Sequence, residues 1–246
     1  MRKIAIVGKG NVGSHLYKMM RARQLETDLI DSRHPVIDGK AYDLVMLTVS
    51  DRAIEPMAAN LSEILQDYSG IVVHTSGTVP MKVLAPYFRN VGVFYPLQTF
   101  SKEVPIENYE EIPIFIEGNS EKTSKELGTL ASHITKEWGE YTSEKREKLH
   151  LASVFSCNFV NAMYSIASDI LESNGIPYSM AYPLMKQTLT KALNGNPKEC
   201  QTGPARRADM LTVDRHIKEL EKSDLMLAKI YKDISAYIMQ QKNEQD

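Results

Sequence analysis

Residues 3 to 16 read Lys-Ile-Ala-Ile-Val-Gly-Lys-Gly-Asn-Val-Gly-Ser-His-Leu. Ile4 to Val7 is a short apolar run rich in β-branched side chains, the pattern of a strand buried on both faces. Gly8, Gly10 and Gly13 follow at G-x-G-x-x-G spacing, and Val12, Leu16 and Met19 or Met20 then recur at helical spacing. A strand that turns on glycines straight into a helix leaves few folds open. Gly8 permits the sharp turn, Gly10 lets backbone approach a pyrophosphate, and Gly13 lets the helix pack close to the sheet. Asn11 and Val12 complete the turn, and the free N–H groups of the helix start suit phosphate. Strand before, helix after is the context that gives this motif its meaning.

The chain has 246 residues and a formal net charge of -2. That length supports one large or two modest cores. The balance gives no basic footprint for nucleic acid. Cys157 and Cys200 are the two cysteines, which implies neither a disulfide framework nor a zinc site, so no metal is expected. A reducing, cytoplasmic setting follows. No apolar run reaches membrane-spanning length. Arg2 and Lys3 precede the first strand directly, leaving no room for a signal peptide.

The second strand is expected at Thr27 to Ile30, followed by Asp31-Ser32-Arg33-His34. A carboxylate at its end suits the ribose 2′-OH of NAD, and an arginine suits the 2′-phosphate of NADP. Asp31 argues for NAD; Ser32 and Arg33 argue for NADP. The reading favours NADP, with NAD as the alternative. Tyr42 to Val49 is a further buried strand, with Ser50 or Asp51 as N-cap of a helix from about 52. Ile71 to His74 and Val91 to Phe94 are strands, with a helix of roughly 80 to 87 between them. Val49, Ser50, His74 and Ser76, with Tyr95 to Phe100, fall at the carboxyl edge of the sheet, where ligands of open α/β folds bind. Ile112 to Glu117, a helix capped by Ser120, and Trp138 to Tyr141 complete an alternation of strand and helix. The expectation is an α/β fold: a doubly wound, mostly parallel Rossmann sheet over residues 1–142.

Residues 143–246 read as all-α. Glu144 to Asn174 carries one long helical pattern closed by Gly175 and Pro177. At 100° per residue, Phe155, Phe159, Met163, Ile166 and Ile170 share one side. His150, Cys157, Asn158, Asn161, Ser165 and Ser168 share the other. Neither face suits water, so a partly buried site and a homodimer through these helices are expected. Helices at about 178–194, 210–222 and 224–241 follow. Between them lies the loop Gln201 to Asp209, with Arg206, Arg207 and Asp209 close together.

The N-terminal GKGNVG, Val-Ser-Asp after a central strand, His-Thr-Ser-Gly, Pro-Leu-Gln-Thr-Phe, and a long helix holding His150 and Asn158 occur together with Thr-Gly-Pro-Ala-Arg-Arg-Ala-Asp, Thr212 and His216. Together these resemble the Rossmann-like proteins with a C-terminal domain of unknown function. That group sits near the pyrroline-5-carboxylate reductases, the 3-hydroxyacid dehydrogenases and the deazaflavin-dependent NADP reductases. The resemblance implies an NAD(P)-binding domain, a helical domain that dimerises and a cleft between them. It names no substrate. Two departures stand out. Tyr95 replaces a histidine before Pro-Leu, putting a proton donor at that turn in doubt. Ala208 replaces a glycine before Asp209, implying that the loop needs no glycine conformation there.

Hydride transfer to a carbonyl or imine needs an oriented nicotinamide and one proton donor. His150 is the candidate donor. Asn158 and Ser76 are candidates for holding the substrate, and Arg207 for clamping its carboxylate, in its own or the partner's cleft. His74, Ser76, His150, Asn158 and Arg207 are expected to converge, with Ser76 and His150 within about two helical turns, roughly 11 Å. The expected function is an NAD(P)-dependent oxidoreductase acting on a small anionic substrate. The competing expectation is a non-catalytic, dimeric NADP-binding module.

Overall fold

The computed structural model describes residues 3–243; Arg2 lies outside them. Contacts divide the chain into a unit ending at Met163 and one starting at Tyr164.

The first unit is a seven-stranded sheet in the order β2-β1-β3-β4-β5-β6-β7. Its strands are β1 (Lys3–Val7), β2 (Glu26–Ile30), β3 (Leu44–Leu47), β4 (Ile71–His74), β5 (Asn90–Pro96), β6 (Ile114–Gly118) and β7 (Trp138–Glu140). The first five run parallel, β6 pairs antiparallel with β5, and β7 runs parallel to β6. Alternation along the strands builds two cores, as a pleated strand must when covered on both faces. Ile4 and Ile6 face α1 (Asn11–Ala22) and α3 (Glu121–Ile134). Ala5 and Val7 face α2 (Asp51–Ile64) and the Leu84–Phe88 turn. This is the doubly wound, mostly parallel α/β fold read from the alternation.

Three local expectations are corrected. The helix at 80 to 87 is a single tight turn, Met81–Leu84. Ser50 occupies the N-cap position of α2 without a side-chain cap bond, while the Asp51 carboxylate accepts from the Thr78 hydroxyl at 2.8 Å instead. The long helix at 144–174 is α4 (Ser143–Ser153), a π-helical stretch Val154–Phe159 and α5 (Val160–Ser173). A widened turn of this kind shifts the phase of every later side chain, so one 100° wheel does not describe the whole segment.

The second unit is helical, with α6 (Tyr182–Asn194), α7 (Met210–Glu221) and α8 (Leu225–Asn243). Its Thr202–Asp209 loop departs from the expectation for Ala208. Ala208 has φ 55°, the left-handed region that an alanine enters at a cost of about 1–2 kcal/mol. The loop does need a glycine-like conformation there. The loop's own bonds hold it: Asp209 N–H donates to the Pro204 carbonyl at 3.0 Å, and the Asp209 carboxylate caps α7 through the Thr212 N–H. Asp209 is thus a helix cap.

Candidate functional site

The strand order reverses between β1 and β3, because β2 lies on one side of β1 and every later strand on the other. Ligands of such sheets bind in the crevice outside the carboxyl ends at this reversal. The glycine turn occupies it. Gly8 has φ 125°, and a Cβ there would lie 2.6 Å from the Thr48 carbonyl oxygen. A Cβ on Gly13 would lie 1.9 Å from the Gly8 carbonyl oxygen and 2.5 Å from Thr48 Oγ1. The protein's own atoms therefore require both glycines. Gly10 differs: a Cβ there would meet nothing within 4 Å. Nothing in the fold within 4 Å requires glycine at 10, and the bare backbone there leaves room for the close approach of a ligand. Gly10 is also the N-cap of α1, with no side-chain cap bond and no acidic residue in the first turn. Such a turn leaves its N–H groups for an anion, and Lys9, Gly10 and Asn11 are exposed beside half-buried Val12. The arrangement fits a dinucleotide pyrophosphate.

Thr48 is a residue that the sequence reading passed over. Its buried hydroxyl contacts the Val7 and Gly8 carbonyl oxygens at 3.1 and 2.9 Å and braces the turn from β3. A hydroxyl residue directly after a buried strand was the available signal. The Gly8 N–H donates to the Ile30 carbonyl at 3.0 Å, bringing the end of β2 beside the turn. There Arg33 forms a two-pronged pair with Asp31, Nε to Oδ1 at 3.2 Å and Nη2 to Oδ2 at 3.0 Å. The guanidinium holds the Asp31 carboxyl well below the usual carboxylate range. Ser32 is half-buried beside them and Arg33 is exposed. Both cofactor-discriminating readings thus meet in one ion pair. Val49 and Ser50 lie at the end of β3, Ser50 exposed.

His74 ends β4 and is wholly buried, so its ring does not reach the crevice surface expected of it. Nδ1 accepts the Ser76 N–H at 3.2 Å, and Nε2 has no hydrogen-bond partner. Burial, reinforced by the nearby Arg146 charge, pulls its pKa down to about 4, against weaker opposition from the Pro80 carbonyl and Asp51. The ring is a neutral strut under the turn. The Ser76 hydroxyl accepts the N–H groups of Thr78 and Val79 at 3.1 and 3.0 Å. Its chemistry is engaged inside its own turn rather than pointed at a substrate.

The turn meets α4 at Gly77. A Cβ on Gly77 would lie 2.6 Å from His150 Nδ1 and 3.0 Å from Tyr95 Cζ. Ser76 and His150 are therefore neighbours, as the topology required. Tyr95 Oη lies 3.2 Å from His150 Nδ1. Burial raises the Tyr95 phenol pKa, with a weaker push from Asp51 and a pull downward from Arg146. Tyr95 and His150, with Gln98, Thr99, Ser153, Ser156, Cys157 and Asn158, wall a cavity of about 330 Å³. The π-helical stretch carries the last three of these, so the widened turn is what forms that wall.

Arg146, one turn before His150, is 1% exposed. It pairs with Glu117 and donates to the Val79 carbonyl, while Glu117 also accepts the Ser143 N–H at 3.1 Å. This network ties α4 to β6 and to the Ser76–Val79 turn, fixing where His150 sits. Removing one partner of such a buried pair costs about 3–5 kcal/mol. A fully buried arginine on an otherwise charged helix leaves no trace in the sequence pattern. Arg207 belongs to the second unit, where it is exposed.

Fold and crevice define the class first: a Rossmann-like α/β protein with a helical C-terminal unit. Solved structures agree. A Bacteroides fragilis protein provisionally described as an NADP oxidoreductase is 29% identical with TM-score 0.85, covering 97% of this chain and 98% of that one. A Thermotoga maritima protein is 21% identical with TM-score 0.70, covering 98% and 99%. Plasmodium falciparum pyrroline carboxylate reductase with NADP bound is 11% identical with TM-score 0.59, covering 98% and 100%. The last two likenesses establish the fold. No curated protein matches the chain. Residues 112–238, more than half of the chain, match the family described as "Domain of unknown function (DUF2520)", and the chain belongs to that family.

Proposed function

We propose that this protein is an NADP-dependent oxidoreductase that reduces a small carbonyl or imine compound. One observation carries the reading: an open, uncapped glycine turn at the strand-order reversal shares a sheet edge with a cavity walled by His150 and Tyr95. The likeness to reductases, one of them with NADP bound, supports it. Residues 8–13 would hold the pyrophosphate, Ser32 and Arg33 the 2′-phosphate, and Val49 and Ser50 the neighbouring ribose. The bound cofactor would supply hydride to the substrate carbon. Asn158 would orient the substrate's carbonyl or imine, and the His150–Tyr95 pair would supply the proton. Arg207 is proposed, on its chemistry alone, as the contact for an anionic group on the substrate.

The proposal divides the work between residues 1–142, for the nucleotide, and residues 143–246, for substrate and dimerisation. The homodimer rests on an observation: α6 has no buried residue, and Leu184, Leu189 and Leu193 on it are 71%, 56% and 75% exposed. Exposed leucines of this kind support an association face on α6. Light scattering should give twice the chain mass. No helix among the described residues is long and apolar enough to cross a membrane, and a cytoplasmic setting is proposed from the two unpaired cysteines.

The test is NADPH oxidation by the purified protein against a panel of cyclic imines, 2-oxoacids and aldehydes. Turnover with at least one class is expected. Failure of NADPH to bind, or no oxidation with any class, overturns the reading.

A further inference from the structure

His150 is the candidate proton donor by residue type, yet its Nδ1 already meets the Tyr95 hydroxyl at 3.2 Å. A phenol oxygen carries one proton and free lone pairs, so it can receive a proton on one side and release its own on another. A group so placed is a relay atom. We propose that Tyr95 is the terminal proton donor of this site and that His150 reloads it through Nδ1. This rests on the reduction reading above.

Three observations converge. Both side chains wall the same cavity, so the phenol has access to a substrate there. Gly77 presses against both rings: a Cβ would stand 2.6 Å from His150 Nδ1, 2.9 Å from Cγ and 3.0 Å from Tyr95 Cζ. A side chain at 77 would displace the His150 ring and crowd the Tyr95 ring, so the bare backbone there makes room for the pair. Arg146, held by Glu117 and the Val79 carbonyl, fixes the turn of α4 that precedes His150. Burial also disfavours a standing phenolate at Tyr95, so a phenol that gives up its proton there must be reprotonated at once.

The step balances as follows. The bound dinucleotide would supply hydride for the new C–H bond, and the π electrons of the carbonyl or imine would move to its heteroatom. The Tyr95 O–H breaks as the heteroatom–H bond forms. The His150 Nδ1–H breaks as the Tyr95 O–H is restored, leaving a neutral imidazole that solvent protonates again.

Two measurements test it. The first needs no turnover: ¹⁵N NMR of the imidazoles in the free protein. Tyr95→Phe should move the His150 Nδ1 resonance, leaving His15 unchanged. An unmoved His150 signal overturns the proposal. The second uses NADPH oxidation with whichever panel compound the wild type reduces. Tyr95→Phe should lower kcat by about 10²–10⁴-fold with NADPH affinity unchanged. Tyr95→Phe/His150→Asn should be no slower than Tyr95→Phe alone. Gly77→Ala, which keeps both groups but displaces the His150 ring, should also lose kcat. In mixed H₂O and D₂O, the wild-type rate should show two protons in flight and His150→Asn one. Near-wild-type kcat in Tyr95→Phe, or effects of the two substitutions that multiply, overturns the relay while leaving the reductase reading intact. A wild type that reduces nothing brings down both.

Discussion

The buried His74 makes the first unit sensitive to mild acid. Its pKa is about 4 in the fold and about 6.5 in an unfolded chain. The unfolded state therefore binds a proton first as pH falls. Above the unfolded value the folded state has no handicap. Below it, stability declines until the pH passes the folded value, where the loss is complete. A gap of about 2.5 pK units corresponds to about 3 kcal/mol in total, of which about 2 kcal/mol is lost between pH 7 and pH 5. The comparison is His74→Asn, whose Oδ1 can still accept the Ser76 N–H but does not titrate. It carries its own penalty from the smaller side chain, a few kcal/mol at most, which is constant with pH. Urea unfolding of both proteins from pH 7.5 to pH 5 reads the difference. The wild type should lose about 2 kcal/mol more than the variant over that range. Parallel stability profiles, or a steeper decline in the variant, would refute the reasoning that a neutral imidazole props up the Ser76–Gly77 turn.

Three other outcomes follow from particular residues. Arg33→Ala should weaken NADPH more than NADH in fluorescence titrations, because only the former carries the 2′-phosphate; equal losses would remove Arg33 from the cofactor site. Gly10→Ala should leave the melting temperature near wild type and weaken dinucleotide binding, whereas Gly13→Ala, with its 1.9 Å clash against the Gly8 carbonyl, should lower both. A Gly10→Ala protein that binds NADPH normally would contradict the ligand argument for that glycine. Ala208→Gly should stabilise the protein by about 1 kcal/mol, since relief of the left-handed strain outweighs the extra chain entropy of glycine; a loss of stability on calorimetry would mean that φ 55° costs alanine nothing there.

Much of the fold was legible because its signals are local. The glycine turn, the β-branched strands and the Ser120 cap each follow from neighbours in sequence, and the strand–helix alternation follows from them. What escaped depends on contacts distant in sequence. Thr48 braces Gly8 across 40 residues, Arg146 reaches Glu117 across 29, and Gly77 matters only because His150 and Tyr95 close upon it. The long helix was read with a uniform period, and the π-helical stretch broke that period where the cavity wall forms. The Ala208 conformation is hidden for a related reason. An alanine in place of glycine suggests freedom from glycine geometry, but loop hydrogen bonds impose that geometry regardless. Residue type and helix position single out His150 and Asn158, and the two share one cavity wall.

On the proposed function, a dinucleotide seated on the glycine turn would present its nicotinamide to the cavity of Tyr95 and His150. A crystal structure of the protein with NADPH tests this most directly. The pyrophosphate is expected on the first-turn N–H groups of α1 and the 2′-phosphate beside Ser32 and Arg33. The reactive nicotinamide carbon is expected against the cavity walled by Tyr95, His150 and Asn158, within about 3–4 Å of a substrate analogue held there. A nicotinamide lying away from that cavity, or a glycine turn left bare at saturating NADPH, would contradict it.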